Sequence, residues 1–221
     1  MADLSRAILG ALLPAMLAAP AAAQPSLVRG VPLASESTPS GAQADFCRPL
    51  LTGRGPPPVW TVINDASAVQ GRAVTEATRD RNEARTSLCL TNAPTTRNVD
   101  VTVRFRPIGG RIDQAGGIAV RVVDDNHYYL LQASAAENMV RLYRVIGGSA
   151  GELAGRAVSV TGGDWHSLRL RATAQRFEAY LDGARLFEVN DETINLPGRV
   201  ALATRADGAI YFESLAVTPL D

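Results

Sequence analysis

Between Asn98 and Thr218 apolar and polar residues alternate in at least eight short runs, each cut by a turn at Gly, Asp or Asn. A period of two is the mark of a strand with one buried and one wet face. In Val99 to Arg106, Val99, Val101, Val103 and Phe105 fall on one face, while Asp100, Thr102, Arg104 and Arg106 fall on the other. From Trp165 to Ala172 the alternation sets His166, Leu168 and Leu170 against Arg169 and Arg171, and from Arg176 to Asp182 it sets Phe177, Ala179 and Leu181 against Glu178 and Tyr180. Asp182-Gly183 between these last two runs predicts a two-residue hairpin, because both turn positions need positive φ. Gly147-Gly148, Gly162-Gly163 and Asp207-Gly208 mark further turns. From Phe46 to Asp221 no helical period is sustained, and only the polar stretch Thr75 to Arg85 leaves room for a short turn of helix. Many short antiparallel strands must cover two apolar faces, so the pattern predicts an all-β fold, an antiparallel two-sheet β-sandwich.

The ends of the chain read differently. Residues 1–23 carry Arg6, an apolar stretch from Ala7 to Ala19 and Ala21-Ala22-Ala23 before Gln24, the layout of a cleaved secretory signal. That stretch is too short to span a bilayer, and no later run approaches the roughly 18 apolar residues of a membrane helix. The expected product is exported, periplasmic or secreted, with no membrane insertion. Residues 24–46, rich in Pro and small polar residues, predict a flexible leader. The domain is then expected over residues 47–221, roughly 175 residues, enough for one core.

Composition narrows the chemistry. Cys47 and Cys89 are the two cysteines, and in an oxidising compartment such a pair is most simply one disulfide, the alternative being two buried free thiols. The 22 basic residues balance the 22 acidic ones, so no net field draws nucleic acid or an anionic membrane. Every basic residue is arginine, which excludes a lysine Schiff base and a lysine on a nucleotide phosphate. There is no Cys-x-x-Cys or His-Glu-x-x-His.

Several phrases come in a telling order: Asp124-x-x-x-Tyr128-Tyr129, Asn138 to Val145, Trp165-His166-Ser167-Leu168-Arg169, Tyr180-Leu181-Asp182-Gly183, Gly198 to Leu202, and Tyr211 to Leu215. Over about residues 59–219 they resemble the concanavalin A-like lectin/glucanase superfamily, nearest its laminin G-like branch and the bacterial 3-keto-disaccharide hydrolase domain. Members often read Asp-x-x-Asn-Tyr-Tyr at the first turn, where this chain has His127. The resemblance implies a concanavalin A-like jelly roll of about twelve strands whose concave face meets carbohydrate. It does not imply catalysis. Laminarinase-type relatives carry Glu-x-Asp-x-x-Glu on one strand, the pair of carboxylates that retaining hydrolysis needs. That spacing is absent here, and Glu188-Val189-Asn190-Asp191-Glu192, the nearest acidic cluster, reads as a polar turn.

Candidate ligand groups follow from what a sugar demands: an aromatic face against the apolar side of the ring, and planar polar side chains for the hydroxyls. Alternation offers two sets. Arg121, Tyr129, Gln132, Arg141 and Tyr143 lie on consecutive hairpins and are preferred. Arg169, Arg171, Glu178 and Tyr180 form the second, with a solvated face of cross-strand ion pairs as the plainer reading of either. Asp124, Asp125 and Asn126 offer oxygens to calcium but do not complete its shell of about six to eight ligands, and Asp and Asn are ordinary turn formers. No other cofactor is indicated. His127 is expected as a solvated turn residue, and His166, in phase with Leu168 and Leu170, as a satisfied core histidine. The leading expectation is an exported, non-catalytic glycan-binding domain with a carbohydrate partner. The alternatives are a hydrolase of 3-keto-glycosides or related disaccharides, and a structural or adhesion module.

Overall fold

The computed structural model describes residues 30–220. The signal sequence expected over residues 1–23 lies outside the described residues. Fifteen strands follow one another: β1 (Val31–Pro32), β2 (Cys47–Thr52), β3 (Trp60–Asn64), β4 (Arg72–Glu76), β5 (Thr86–Thr91), β6 (Val99–Gly109), β7 (Ala115–Asp124), β8 (His127–Ser134), β9 (Met139–Ile146), β10 (Ser149–Ala157), β11 (His166–Thr173), β12 (Arg176–Leu181), β13 (Ala184–Asn190), β14 (Arg199–Arg205) and β15 (Ala209–Pro219). Sheet A runs β13-β12-β11-β6-β15-β4-β3, with β1 added on β15, and sheet B runs β10-β9-β8-β7-β14-β5-β2. Every ladder is antiparallel.

The period-two runs become the inner faces of this sandwich. Val99, Val101, Val103 and Phe105 of β6, Leu168 and Leu170 of β11, and Phe177, Ala179 and Leu181 of β12 face Ile118, Val120, Leu131, Leu142 and Leu202 of sheet B in one buried cluster. Asp182 and Gly183 take φ of 50° and 82°, as the hairpin turn requires. Sheet B is also apolar on its outer face, where Leu88, Leu90, Ala119, Tyr128, Leu130, Ala201 and Ala203 form a second buried cluster under Leu50 and Tyr143.

Two stretches differ from the sequence expectation. Residues 30–46, expected as leader, pair with the sandwich: β1 bonds β15, Gly41 N–H donates to the Val62 carbonyl at 2.8 Å, and Ala44 N–H donates to the Trp60 carbonyl at 2.9 Å. Ala34 and Ala44 are buried there. Such pairing uses backbone groups, so it leaves no side-chain period to read. Thr75 to Arg85 forms no helix. Thr75 and Glu76 end β4, and the buried Glu76 carboxylate accepts N–H bonds from Val59, Thr78 and Arg79. Asp80 and Asn82 then bond the N–H two residues on, and such local side-chain acceptors compete with helix.

Cys47 and Cys89 form the disulfide, diagonal across the β2–β5 ladder with their Cα atoms 5.3 Å apart, inside the main cluster. The bond ties the edge strand β2 to the sheet. For the 42-residue separation, loop-closure entropy assigns it about 4 kcal/mol. Reduction, or the double change Cys47→Ala and Cys89→Ala, is expected to lower unfolding stability by up to about that amount, read from the urea midpoint at unchanged slope.

Candidate functional site

Consecutive hairpins β7 to β10 put their outward side chains side by side on the outer face of sheet B. Gln132 of β8 is the direct partner of Arg141 on β9, and Tyr143, two residues further along β9, is the partner of Glu152 on β10. These four meet Asp113, Ser134, Glu137, Met139 and Arg205 around a cavity of about 150 Å³. At ~30 Å³ per water, that is room for about five water molecules, the scale of one sugar ring.

The cavity is charged but internally matched. Arg141 donates to Glu137 and stands 3.3 Å from the Glu152 carboxylate, while Arg205 lies 3.1 Å from Asp113. Burial pushes the Asp113 carboxyl above its usual range, against the opposing pull of Arg205. Burial likewise raises the Tyr143 hydroxyl, and the Glu137 partner raises Arg141. Gly155, the partner of Arg141 on β10, leaves room for this pair: a Cβ there would sit 2.8 Å from Glu152 Oε1 and 3.2 Å from Arg141 Cγ. Tyr143 packs on the outer apolar cluster and lines the cavity.

No family model matches the chain, and no curated protein matches it in sequence. Solved structures do match. The carbohydrate-binding module CBM66 from Bacillus subtilis is 20% identical with a TM-score of 0.58, covering 72% of this chain and 94% of that one. A protein of unknown function with a galectin-like fold, also from Bacillus subtilis, is 12% identical with a TM-score of 0.50, covering 72% of this chain and 88% of that one. The chain folds as a concanavalin A-like jelly roll.

Within this jelly roll the five preferred candidates divide. Gln132, Arg141 and Tyr143 share the cavity. Arg121 and Tyr129 do not reach it, because both are buried between the sheets. Tyr129 lies on the inner face of β8 and Tyr128 on the outer, where it meets the Thr52 hydroxyl at 2.7 Å. Arg121 is turned inward by a β-bulge. Ala119 pairs with Ala201 and Val122 with Arg199, so Val120 and Arg121 together oppose Val200 alone, and Arg121 takes φ 50°. Its guanidinium donates to the carbonyls of Arg97, Ile194 and Ala174, and stands over the rings of Tyr129 and Phe177. Burial lowers its pKa, yet the group stays charged.

Tyr129 completes the same interior network. Its hydroxyl donates to Asp191 at 2.5 Å and accepts from Ile194 N–H at 3.0 Å. Arg144 reaches Asp191 at 2.6 Å. Burial and Asp191 push the Tyr129 hydroxyl up to about 12. Burial alone would raise the Asp191 carboxyl, but the bonds from Tyr129 and Thr193 and the charge of Arg144 outweigh it and hold it low. In the acidic stretch Glu188 to Glu192, Glu188 to Asn190 end β13, and Asp191 anchors the following loop.

The turn after β7 satisfies itself. Asp124 accepts from Asn126 N–H at 2.8 Å and from His127 Nδ1 at 2.9 Å, and Gly147 N–H donates to His127 Nε2. Asp125 accepts from the Asn126 side chain. Among the described residues no three His, Cys, Asp or Glu side chains gather as a metal cluster, and the oxygens of Asp124 and Asp125 are engaged in these local bonds. His127 is half-buried in its turn. His166 is buried against Phe105, with Nδ1 2.8 Å from Asp182 and Nε2 3.0 Å from the Thr161 carbonyl.

The second candidate set is a lattice of ion pairs on the outer face of sheet A. Arg169 clasps Asp100 and lies over Tyr180, while Glu178 meets Arg176, Arg185 and Arg171. Cavity residues Asp113, Glu137, Glu152 and Arg205 were absent from both sets. Glu152 is readable by counting the hairpin register outward from Gly147-Gly148, whereas Asp113 and Arg205 arrive by long-range pairing.

Arg121→Met is expected to destabilise by about 3 kcal/mol or more, since three carbonyls lose a charged donor at ~1–3 kcal/mol each. Chemical unfolding measures it. Stability that Asp191 contributes is present above its unfolded value near 3.8 and is lost as pH falls through its lower folded value. Asp191→Asn should therefore flatten the pH dependence of stability below about pH 4, read from urea midpoints across an acid series.

Proposed function

We propose that the outer face of sheet B binds a carbohydrate, with Gln132, Arg141, Tyr143 and Glu152 as the principal contacts and Arg205 and Asp113 behind them. The supporting observation is the in-register grouping of these side chains around one ring-sized cavity. A sugar needs convergent donors and acceptors beside an aromatic edge, and this face supplies an amide, a guanidinium, a carboxylate and a phenol. Glu137 and Glu152 hold Arg141 in place before a ligand arrives, which lowers the ordering cost of binding. The fold similarity to CBM66 agrees with this reading. The inferred setting is export as a non-catalytic binding domain. The disulfide fits that setting, and no helix among the described residues is long and apolar enough to cross a membrane.

Titration calorimetry against a glycan array's best binders tests the reading. Arg141→Ala is expected to weaken binding roughly 10- to 100-fold, the loss of charge-assisted hydrogen bonds, with the thermal midpoint nearly unchanged. Unchanged affinity in Arg141→Ala would overturn the assignment of this face. Product assays on 3-keto and ordinary disaccharides run beside it, and turnover that Arg141→Ala abolishes would replace binding by hydrolysis.

A further inference from the structure

A larger hollow lies on the opposite side of the sandwich, outside sheet A. It measures about 660 Å³, within the roughly 300–1,000 Å³ of small-molecule clefts. Its floor is one row of the sheet: Ser167 of β11 pairs with Arg104 of β6, Arg104 with Ser214 of β15, and Ser214 with Pro32 of β1. Thr102 stands two residues along β6, and Trp165, half-buried, forms a wall.

The aromatic wall is set rigidly. The indole N–H of Trp165 donates to Ser67 Oγ at 2.9 Å, and the Arg104 guanidinium lies 5.5 Å from its ring. Arg104 forms an ion pair with Glu213, 2.7 Å from its Oε1, while Glu213 Oε2 accepts from Val69 N–H at 2.8 Å. On the rim the Asp182 carboxylate accepts from Ser167 N–H at 2.7 Å. The hydroxyls of Thr102, Ser167 and Ser214 and the amide of Gln70 make no side-chain hydrogen bond among the described residues. The groove therefore offers a fixed indole, a fixed guanidinium–carboxylate pair and four free polar groups.

We propose that this groove is a second carbohydrate site, specific for neutral oligosaccharides. The indole takes the apolar face of a ring, and the hydroxyls, the amide and the Arg104–Glu213 pair take its hydroxyl groups. Neutrality follows from charge: Glu213 already balances Arg104, so the lining of the groove leaves no unpaired cation to hold an anionic sugar. The space exceeds one ring, so a di- or trisaccharide is the expected length. Because the two sites lie on the outer faces of opposite sheets, one molecule can engage two glycan chains at once, which raises avidity on a polymeric surface. This site does not depend on the one at Arg141.

The chain has two tryptophans, and Trp60 is fully buried, so quenching by acrylamide reports on Trp165. Neutral di- to tetrasaccharides of glucose, galactose and mannose, with acidic counterparts, are titrated into the protein. Protection of Trp165 by a neutral oligosaccharide is expected, retained in Arg141→Ala, and weaker for the acidic counterpart. Thr102→Tyr, which fills the floor, should weaken that binding at least about tenfold by calorimetry while leaving binding at the Arg141 face unchanged, and Trp165→Ala should do the same. If Trp165→Ala does not fold, Thr102→Tyr decides. No protection by any oligosaccharide, protection lost in Arg141→Ala, or full affinity in Thr102→Tyr would overturn the proposal.

Discussion

A guanidinium buried between two apolar sheets is stable only if its donors are met, and Arg121 meets that condition with three backbone carbonyls from three separate loops. The turn at Ala174, the loop holding Ile194 and the segment at Arg97 are thereby tied to one point on β7. Tyr129 and Phe177 lie under the same charge, and the Tyr129 hydroxyl passes the constraint to Asp191 and Arg144. The cost of burying the charge is offset by bonds that no apolar side chain would supply. One residue inserted in β7 makes this possible, since the bulge alone turns Arg121 from the outer face to the inner.

The two outer faces then divide the polar work. On sheet B the centre is apolar and closed over by its own side chains, so polar residues collect at one end, on β8, β9 and β10. On sheet A polar residues line the outer face of β6, β11 and β12. Toward β12 and β13 they saturate one another as ion pairs whose arginines reach solvent, and screening there limits what such pairs contribute to stability. Toward β15 and β1 they stand apart, and the groove beside Trp165 opens there. Whether a polar face is a lattice or a recess is thus set by which strands are neighbours.

The alternation of Val99 to Phe105, the hairpin at Asp182-Gly183 and the ordered phrases were sufficient for the class of fold, because burial of alternate residues is a local property of each strand. The disulfide was legible from count and spacing. Arg121 and Tyr129 were misplaced for different reasons. Period two names two faces without saying which is inner, which is how Tyr129 and Tyr128 exchange roles. A bulge shifts the period by one residue and leaves no mark in composition, which is how Arg121 changes face. The pairing of residues 30–46 was hidden because backbone hydrogen bonds need no pattern of side chains.

By itself the sequence determined which residues alternate, where the hairpins turn and how neighbouring strands of one hairpin align, so that Gln132, Arg141 and Tyr143 share a face. Those relations span a few residues and follow from pleat and turn geometry. Only the tertiary structure decided that Asp113 and Arg205 close the cavity, that Trp165 overhangs Arg104, and that a charge lies in the core. These depend on β14, β15 and β1 finding partners far away in the chain, and the physical reason is that register between distant strands is set by the packing of the whole sandwich.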